Sequence, residues 1–382
     1  MTDHTPAWTR HLQPALAGLG VYHAPASTAF ARMHANENPE PWPDEVMQAL
    51  AQCVQQVELG RYPDSSGRML REVLAARHGC EADRIVLGNG SDEVISLLLT
   101  ALAGGSPPVL VVPSPTFVMY GHSARALGYQ VREVPLDDAL QLDGDAMHRA
   151  LMGATICFLA RPNNPTGTVW SAALIDELVA THPSVVFVID EAYVAYAPGA
   201  SLWRADAPTH VVHMATLSKI GLAALRVGYA IATPVLAHAL DKVRHPYNVS
   251  QTSLLLAHTV LTRFEHVQQE LVTRVIGNRE RLAELLGTLP GAHVPLGRKP
   301  GAGAVALRRG RRCGGRGARG RRRAGQVHER DAAAARLRAC ERRHARAARP
   351  AGGPAAGAGR ADRPTLAAVD VGRGGGRPWS PT

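Results

Sequence analysis

Seven short β-rich runs recur along the chain, at residues 84–87, 109–112, 129–134, 155–159, 185–189, 210–214 and 227–231. They are rich in Val, Ile and Leu, and longer stretches of helical periodicity alternate with them. This alternation predicts an α/β protein whose mainly parallel sheet is covered by helices on both faces. Ligands of such sheets collect beyond the carboxyl ends of the strands. Asn164, Asp190 and Lys219 each follow a run closely, so three distant stretches are expected to converge on one crevice. Residues 45–250 are expected to form the large domain. Residues 1–44 would supply an N-terminal arm and the start of a smaller α/β domain, and 251–297 a further part of it.

That pattern stops at Arg298. From there to Thr382 the chain is dominated by Arg, Gly, Ala and Pro, with 22 basic residues against 5 acidic. The net charge of +10 therefore misdescribes the body, since residues 1–297 carry 20 basic and 27 acidic side chains. A segment of this composition does not offset its ordering entropy by apolar burial, so 298–382 is expected to be disordered. The five cysteines, at 53, 80, 157, 313 and 340, lack Cys-x-x-Cys spacing, which favours reduced thiols and a cytoplasmic protein. The first residues lack the basic-then-apolar order of a signal peptide, and no run approaches membrane-spanning length. No metal is expected, because His34, His213 and His245 have no companions at ligand spacing.

The candidate chemistry centres on two motifs. Lys219 lies in Thr-Leu-Ser-Lys-Ile-Gly with Arg226 shortly after it, and Asp190 ends an apolar run 29 residues earlier. A lysine flanked by small residues, a hydroxyl and an arginine suits an amine that forms an imine beside a bound phosphate. A carboxylate at the end of a buried strand suits a protonated pyridine nitrogen. Together they point to pyridoxal 5′-phosphate, although a surface Ser-Lys turn and an unrelated strand-end Asp would look the same singly. Gly-Asn-Gly-Ser-Asp at 88–92 opens a helix, leaving the backbone N–H groups of Ser91 and Asp92 for phosphate at the positive end of its dipole. Ser218 and Arg226 can add charge-assisted contacts. Phe117 could face a pyridine ring or simply pack in the core, and Asn164 could donate to a phenolate oxygen or merely shape an Asn-Pro turn. Tyr193 offers a phenol to the same oxygen.

The order Gly-Ser-Asp, Pro-Thr-Phe, Asn-Asn-Pro-Thr-Gly, Asp-Glu-Ala-Tyr, Ser-Lys and Arg resembles the fold-type I, pyridoxal-phosphate-dependent aminotransferases. Within them it is most similar to the histidinol-phosphate aminotransferase family, through the motifs around Asn36 and Asn38, Arg61 to Asp64, and Pro246 to Asn248. The resemblance covers about residues 20 to 297. It implies Lys219 as the imine-forming amine and proton shuttle, Asp190 on the ring nitrogen, Asn164 and Tyr193 on the ring oxygen, and Phe117 stacked on the ring. Ser91, Asp92, Ser218 and Arg226 would surround the phosphate. Tyr62 would reach the phosphate of a neighbouring subunit, implying a homodimer with shared sites, while Tyr22 and Asn38 would line the substrate pocket. The implied reaction moves an amino group between L-histidinol phosphate and 2-oxoglutarate in histidine biosynthesis. Threonine-phosphate decarboxylases and aromatic or other aminotransferases of the same fold are the alternatives.

Three features depart from that pattern. Lys219 and Arg226 are seven residues apart, one fewer than is commonest, and Ala215 stands where an arginine often lies. No carboxylate-gripping arginine motif follows Leu296. A reading-frame shift near residues 296–300 of a GC-rich gene would give this text, and an impaired transaminase would result. A basic tail that binds nucleic acid is the rival, but it has almost no aromatics to stack bases.

Overall fold

The computed structural model describes residues 7–21, 35–104 and 107–288. The expected site residue Tyr22 and the segment 298–382 lie outside them. All seven β-rich runs form strands: β1 (Ile85–Asn89), β2 (Val109–Ser114), β3 (Gln130–Pro135), β4 (Ile156–Ala160), β5 (Val186–Asp190), β6 (Val211–Thr216) and β7 (Val227–Ile231). They make one sheet in the order β1-β7-β6-β5-β4-β2-β3. The helices are α1 (Asp44–Val54), α2 (Arg68–His78), α3 (Ser91–Ala101), α4 (Val118–Ala126), α5 (Gly144–Leu151), α6 (Ala172–Thr181), α7 (Pro234–Val243), α8 (Gln251–Arg263) and α9 (Glu265–Gly287).

β2 to β6 run parallel, whereas β7 is antiparallel to both β6 and β1. Connection length explains the reversal. A parallel return needs a crossover of a dozen or more residues, and between Thr216 and Val227 the chain makes only two short 3-10 turns. Those turns carry Lys219 and hold it near the sheet edge.

Side chains alternate across the sheet with period two, and both faces are covered. Val86, Leu110, Val112, Ile156, Phe158, Val188 and Val212 pack on one face with residues of α3, α4 and α7. Val109, Val111, Cys157, Leu159, Phe187 and Ile189 pack on the other with residues of α5 and α6. On that second face, Ile85, Leu87, Val227 and Tyr229 join Leu70 and Leu74 of α2 and Leu254, Ala257 and Val260 of α8. Two buried faces are why inner strands such as β4 and β7 read as apolar runs, whereas the edge strand β3, exposed at Gln130 and Glu133, carries charge. No helix among the described residues is long and apolar enough to cross a membrane.

Strand register assembles the site. Ala160 pairs with Asp190, and Asp190 pairs with Met214. Asn164, Asp190 and Lys219 therefore leave three adjacent strand ends on the same side of the sheet.

Candidate active site

One end of the crevice is an anion cradle. Gly90 caps α3 with φ 79°, and the N–H groups of Ser91 and Asp92 find no acceptor among the described residues. Unpaired donors at a helix start, aligned with its dipole, attract phosphate. Space is made by glycine. A Cβ on Gly90 would sit 2.4 Å from Nη2 of Arg226, and one on Gly228 would sit 2.4 Å from the Ser91 nitrogen. Arg226, itself left-handed at φ 51°, donates from Nη1 to Ser218 Oγ at 3.1 Å and from Nη2 to Asp92 Oδ2 at 3.3 Å. The buried Thr216 hydroxyl donates to Ser218 Oγ at 3.0 Å and accepts the Ser218 N–H at 3.1 Å. Thus Ser218 and Arg226 are aligned before any ligand arrives, and Asp92 holds the guanidinium through its carboxylate.

Lys219 stands between this cradle and the central strand. Its Nζ donates to the Ala35 carbonyl at 3.0 Å and lies 5.6 Å from the centre of the Tyr193 ring. Burial pushes the amine below its ordinary lysine range; Asp92 opposes the shift and Arg226 adds to it. A lysine that gives up its proton more easily is a better nucleophile and proton acceptor.

The opposite end holds a buried carboxylate. Asp190 Oδ2 accepts from the Tyr120 hydroxyl at 2.5 Å, and Oδ1 accepts from the Ala192 N–H at 2.9 Å. Burial raises its pKa to about 6 against the relief from those two hydrogen bonds. The Tyr120 phenol is itself held well above its usual range, chiefly by burial and then by Asp190, so it stays protonated as donor. Asp190 forms no ion pair with a described side chain. A buried carboxylate without a cation suits a positively charged ring nitrogen.

The rim comes from several segments. Asn36 donates to the Tyr193 hydroxyl at 3.2 Å, Asn38 donates to the Tyr196 hydroxyl at 3.4 Å, and Trp42 donates to the Gly221 carbonyl at 3.0 Å. These bonds pin residues 36–42 across the Lys219 turn. Tyr196 in turn donates to the Lys219 carbonyl. In the loop after β4, Asn163 is consumed: it accepts from Thr116 at 2.7 Å and donates to the Pro115 carbonyl at 3.0 Å and Thr166 at 2.8 Å. The neighbouring Asn164 amide makes no hydrogen bond to a described residue and is half-buried, free to serve a ligand. Phe117 is half-buried, with its edge contact to Tyr120 at 5.4 Å and 81°.

Lys219, Asp190, Tyr193, Ser91, Asp92, Ser218, Arg226 and Asn38 are therefore gathered at one end of the sheet. Tyr62 stands apart: it is 81% exposed and stacks on Tyr247 at 4.6 Å. Sequence reasoning passed over Tyr120, Thr216, Gly228 and Asn36. Tyr120 had a faint signal, three residues beyond Phe117 in the same motif.

The pattern of aminotransferase class I and II matches residues 30–311 of the chain. The chain belongs to that family. Histidinol-phosphate aminotransferase 1 of Burkholderia lata is 38% identical over 279 residues, covering 72% of this chain and 77% of the relative. Histidinol-phosphate aminotransferase 2 of Nitrosococcus oceani is 35% identical over 298 residues, covering 76% and 80%. The crystal structure of histidinol-phosphate aminotransferase from Sinorhizobium meliloti, in complex with pyridoxal-5′-phosphate, superposes with a TM-score of 0.65. That match covers 72% of this chain and 77% of the other at 24% identity, a likeness of fold.

Proposed function

We propose that this chain binds pyridoxal 5′-phosphate in the crevice and transfers an amino group between L-histidinol phosphate and 2-oxoglutarate, in histidine biosynthesis. The observation that carries the reading is the division of the crevice, with an anion cradle at one end, a cation-seeking carboxylate at the other, and a depressed lysine between them. The names of the Burkholderia and Nitrosococcus relatives support the amino donor. The cofactor, when bound, supplies an aldehyde carbon for the imine and an electron sink for charge developing at the substrate α-carbon.

The residues divide the remaining tasks. Ser91 and Asp92 N–H groups, Ser218 Oγ and Arg226 hold the phosphate, so the ring stays in place while its amine partner is exchanged. Asp190 keeps the ring nitrogen protonated. Asn164 and Tyr193 offer hydrogen bonds to the ring oxygen, and Phe117 covers the ring face. Lys219 would supply the amine that holds the cofactor's aldehyde carbon, and its Nζ would move the proton at the substrate α-carbon. Asn38 lines the substrate end. Tyr62, exposed in the single chain, serves the site of a second copy in a cytoplasmic homodimer, with residues 45–250 as the cofactor-binding domain.

The test is a half-reaction. Purified protein is mixed with pyridoxal 5′-phosphate, its visible spectrum is recorded, and L-histidinol phosphate is added without a keto acid. Bleaching to the spectrum of pyridoxamine 5′-phosphate is expected. A cofactor band that histidinol phosphate leaves unchanged, while O-phospho-L-threonine releases carbon dioxide, would replace the reading with decarboxylation.

A further inference from the structure

A second carboxylate sits in the first turn of α3, next to the place where phosphate would be held. Asp92 is answered by Arg226. Glu93 has no arginine or lysine partner among the described residues and would repel an anion, so its presence needs a reason. Two donors supply one. Glu93 Oε2 accepts the backbone N–H of Asn89 and, at 2.7 Å, the amide Nδ2 of Asn248.

This accounts for the N–H groups of the turn one by one. Asn89 gives its N–H to Glu93, and Gly90 gives its own to the Gly88 carbonyl at 2.9 Å. The N–H groups of Ser91 and Asp92 have no acceptor among the described residues. Were Asn89 released, the turn would lose one of its two internal ties, and the free pair would no longer be fixed in direction.

Asn248 is itself held in one orientation. Its Nδ2 also donates to the Leu87 carbonyl at 3.1 Å, while its Oδ1 accepts from Arg244 Nη1 at 2.9 Å. Flipping the amide would set donor against donor at Arg244 and acceptor against acceptor at Glu93 and Leu87. Arg244 is fixed by Asp241 at 2.8 Å, and Asp241 receives both ends of the Arg71 guanidinium, at 3.0 and 2.8 Å. Arg71 and Arg244 hold the Asp241 carboxyl below its usual range despite its burial. The chain of contacts thus runs from α2 through α7 and the loop before α8 to the phosphate turn.

We propose that Glu93 and Asn248 are positioning residues for the cofactor phosphate: Glu93 acts as a hydrogen-bond acceptor that aims the Ser91 and Asp92 N–H groups, and Asn248 fixes Glu93. The inference rests on the reading that the cradle binds pyridoxal 5′-phosphate. Because the Glu93 role is acceptance and not charge, glutamine can perform it, its single amide oxygen taking the place of Oε2.

The experiment compares equilibrium dissociation constants of full-length wild type, Glu93→Ala, Glu93→Gln and Asn248→Ala for two probes, pyridoxal 5′-phosphate and pyridoxal, by protein fluorescence. Losing the acceptor shared by two amide donors is expected to weaken binding of the phosphorylated probe about tenfold in Glu93→Ala. Asn248→Ala should show a smaller loss of the same kind. Pyridoxal, which lacks the phosphate, should bind all four proteins within about twofold. Glu93→Gln should match or exceed wild type, since it keeps the acceptor and removes a repelling charge. Thermal midpoints measured without cofactor separate lost folding from lost aim, because a merely structural role lowers the midpoint and weakens both probes together. Equal loss for both probes, or Glu93→Gln behaving like Glu93→Ala, overturns the proposal. Wild type that binds neither probe overturns the functional reading beneath it, whereas wild type binding with an indifferent Glu93→Ala overturns this inference alone.

Discussion

At the Gly90 end of the crevice, selection is a matter of space: glycines bring two backbones together, and the Ser91 and Asp92 N–H groups beside them have no acceptor among the described residues. At the Asp190 end, selection is a matter of charge, because a carboxylate with two hydrogen bonds and no cation is kept from water. The first end tolerates polar exposure, as Asp92 and Arg226 are each about half exposed. The second does not, since Asp190 and its donor Tyr120 are both buried. A phosphate can be held in solvent because many donors share its charge, whereas the effect of one carboxylate on one ring nitrogen depends on a low dielectric. The contrast predicts that the two ends fail differently when altered.

Lys219→Ala should separate holding from chemistry most sharply. Turnover should fall by about 10²–10⁴-fold from loss of the proton acceptor alone, more if imine formation is also required. The cradle should still retain pyridoxal 5′-phosphate, measured by equilibrium dialysis. Loss of cofactor binding equal to the loss of turnover would mean that the cradle does not hold by itself.

Gly228→Ala attacks the spatial end. The added methyl would meet the Ser91 nitrogen at 2.4 Å and the Gly90 carbonyl carbon at 2.5 Å, both backbone atoms that cannot swing aside. Overpacking of this kind costs about 1–3 kcal/mol. Cofactor affinity should drop together with the urea midpoint, and an unchanged affinity would show that the approach of β7 to the Gly90 turn is not what shapes the cradle.

Asp190→Asn attacks the charged end and should behave in the opposite sense. The Asp190 pKa is raised in the folded protein to about 6, above its ordinary 3.8. Without cofactor, folding stability should therefore fall as pH rises between those values, and the full penalty, on the order of 3 kcal/mol, should persist at neutral pH. The asparagine variant escapes that penalty. Its urea midpoint without cofactor is expected to exceed that of wild type at pH 7 and to lose this part of the pH dependence, while its turnover is lower by about a hundredfold. A variant less stable than wild type at pH 7 would sink the claim that the carboxylate waits unpaired.

The two ends also differed in how far they could be read before the fold was known. Gly88 to Asp92 is contiguous, so the cradle and its helix start were legible from local spacing, as were the seven strands from their β-rich runs. Lys219 and Asp190 were legible because each ends or follows a strand. What stayed hidden depends on register and packing: Tyr120 meets Asp190 across 70 positions, Glu93 meets Asn248 across 155, and Asn36 meets Tyr193 across 157. None of these pairs has a periodicity or spacing that marks it. The antiparallel turn of β7 was hidden for a different reason, since a strand run does not reveal its direction until the length of its connection is weighed.

Tyr120→Phe gives the smallest and most diagnostic change. The ring should keep its place, stacked on Phe158 at 4.7 Å and 14° and meeting Phe117 edge-on, so packing is preserved while one donor to Asp190 disappears. That hydrogen bond favours the ionised carboxylate, and its loss should raise the Asp190 pKa further. If Asp190 serves the ring nitrogen as proposed, activity requires the ionised form and rises as pH climbs through that pKa. The acid limb of kcat/KM against pH should then move to higher pH in the variant, with a rate loss of about tenfold near neutrality that shrinks at alkaline pH. A limb that stays where it is in wild type, with the same loss at every pH, would assign Tyr120 to packing alone.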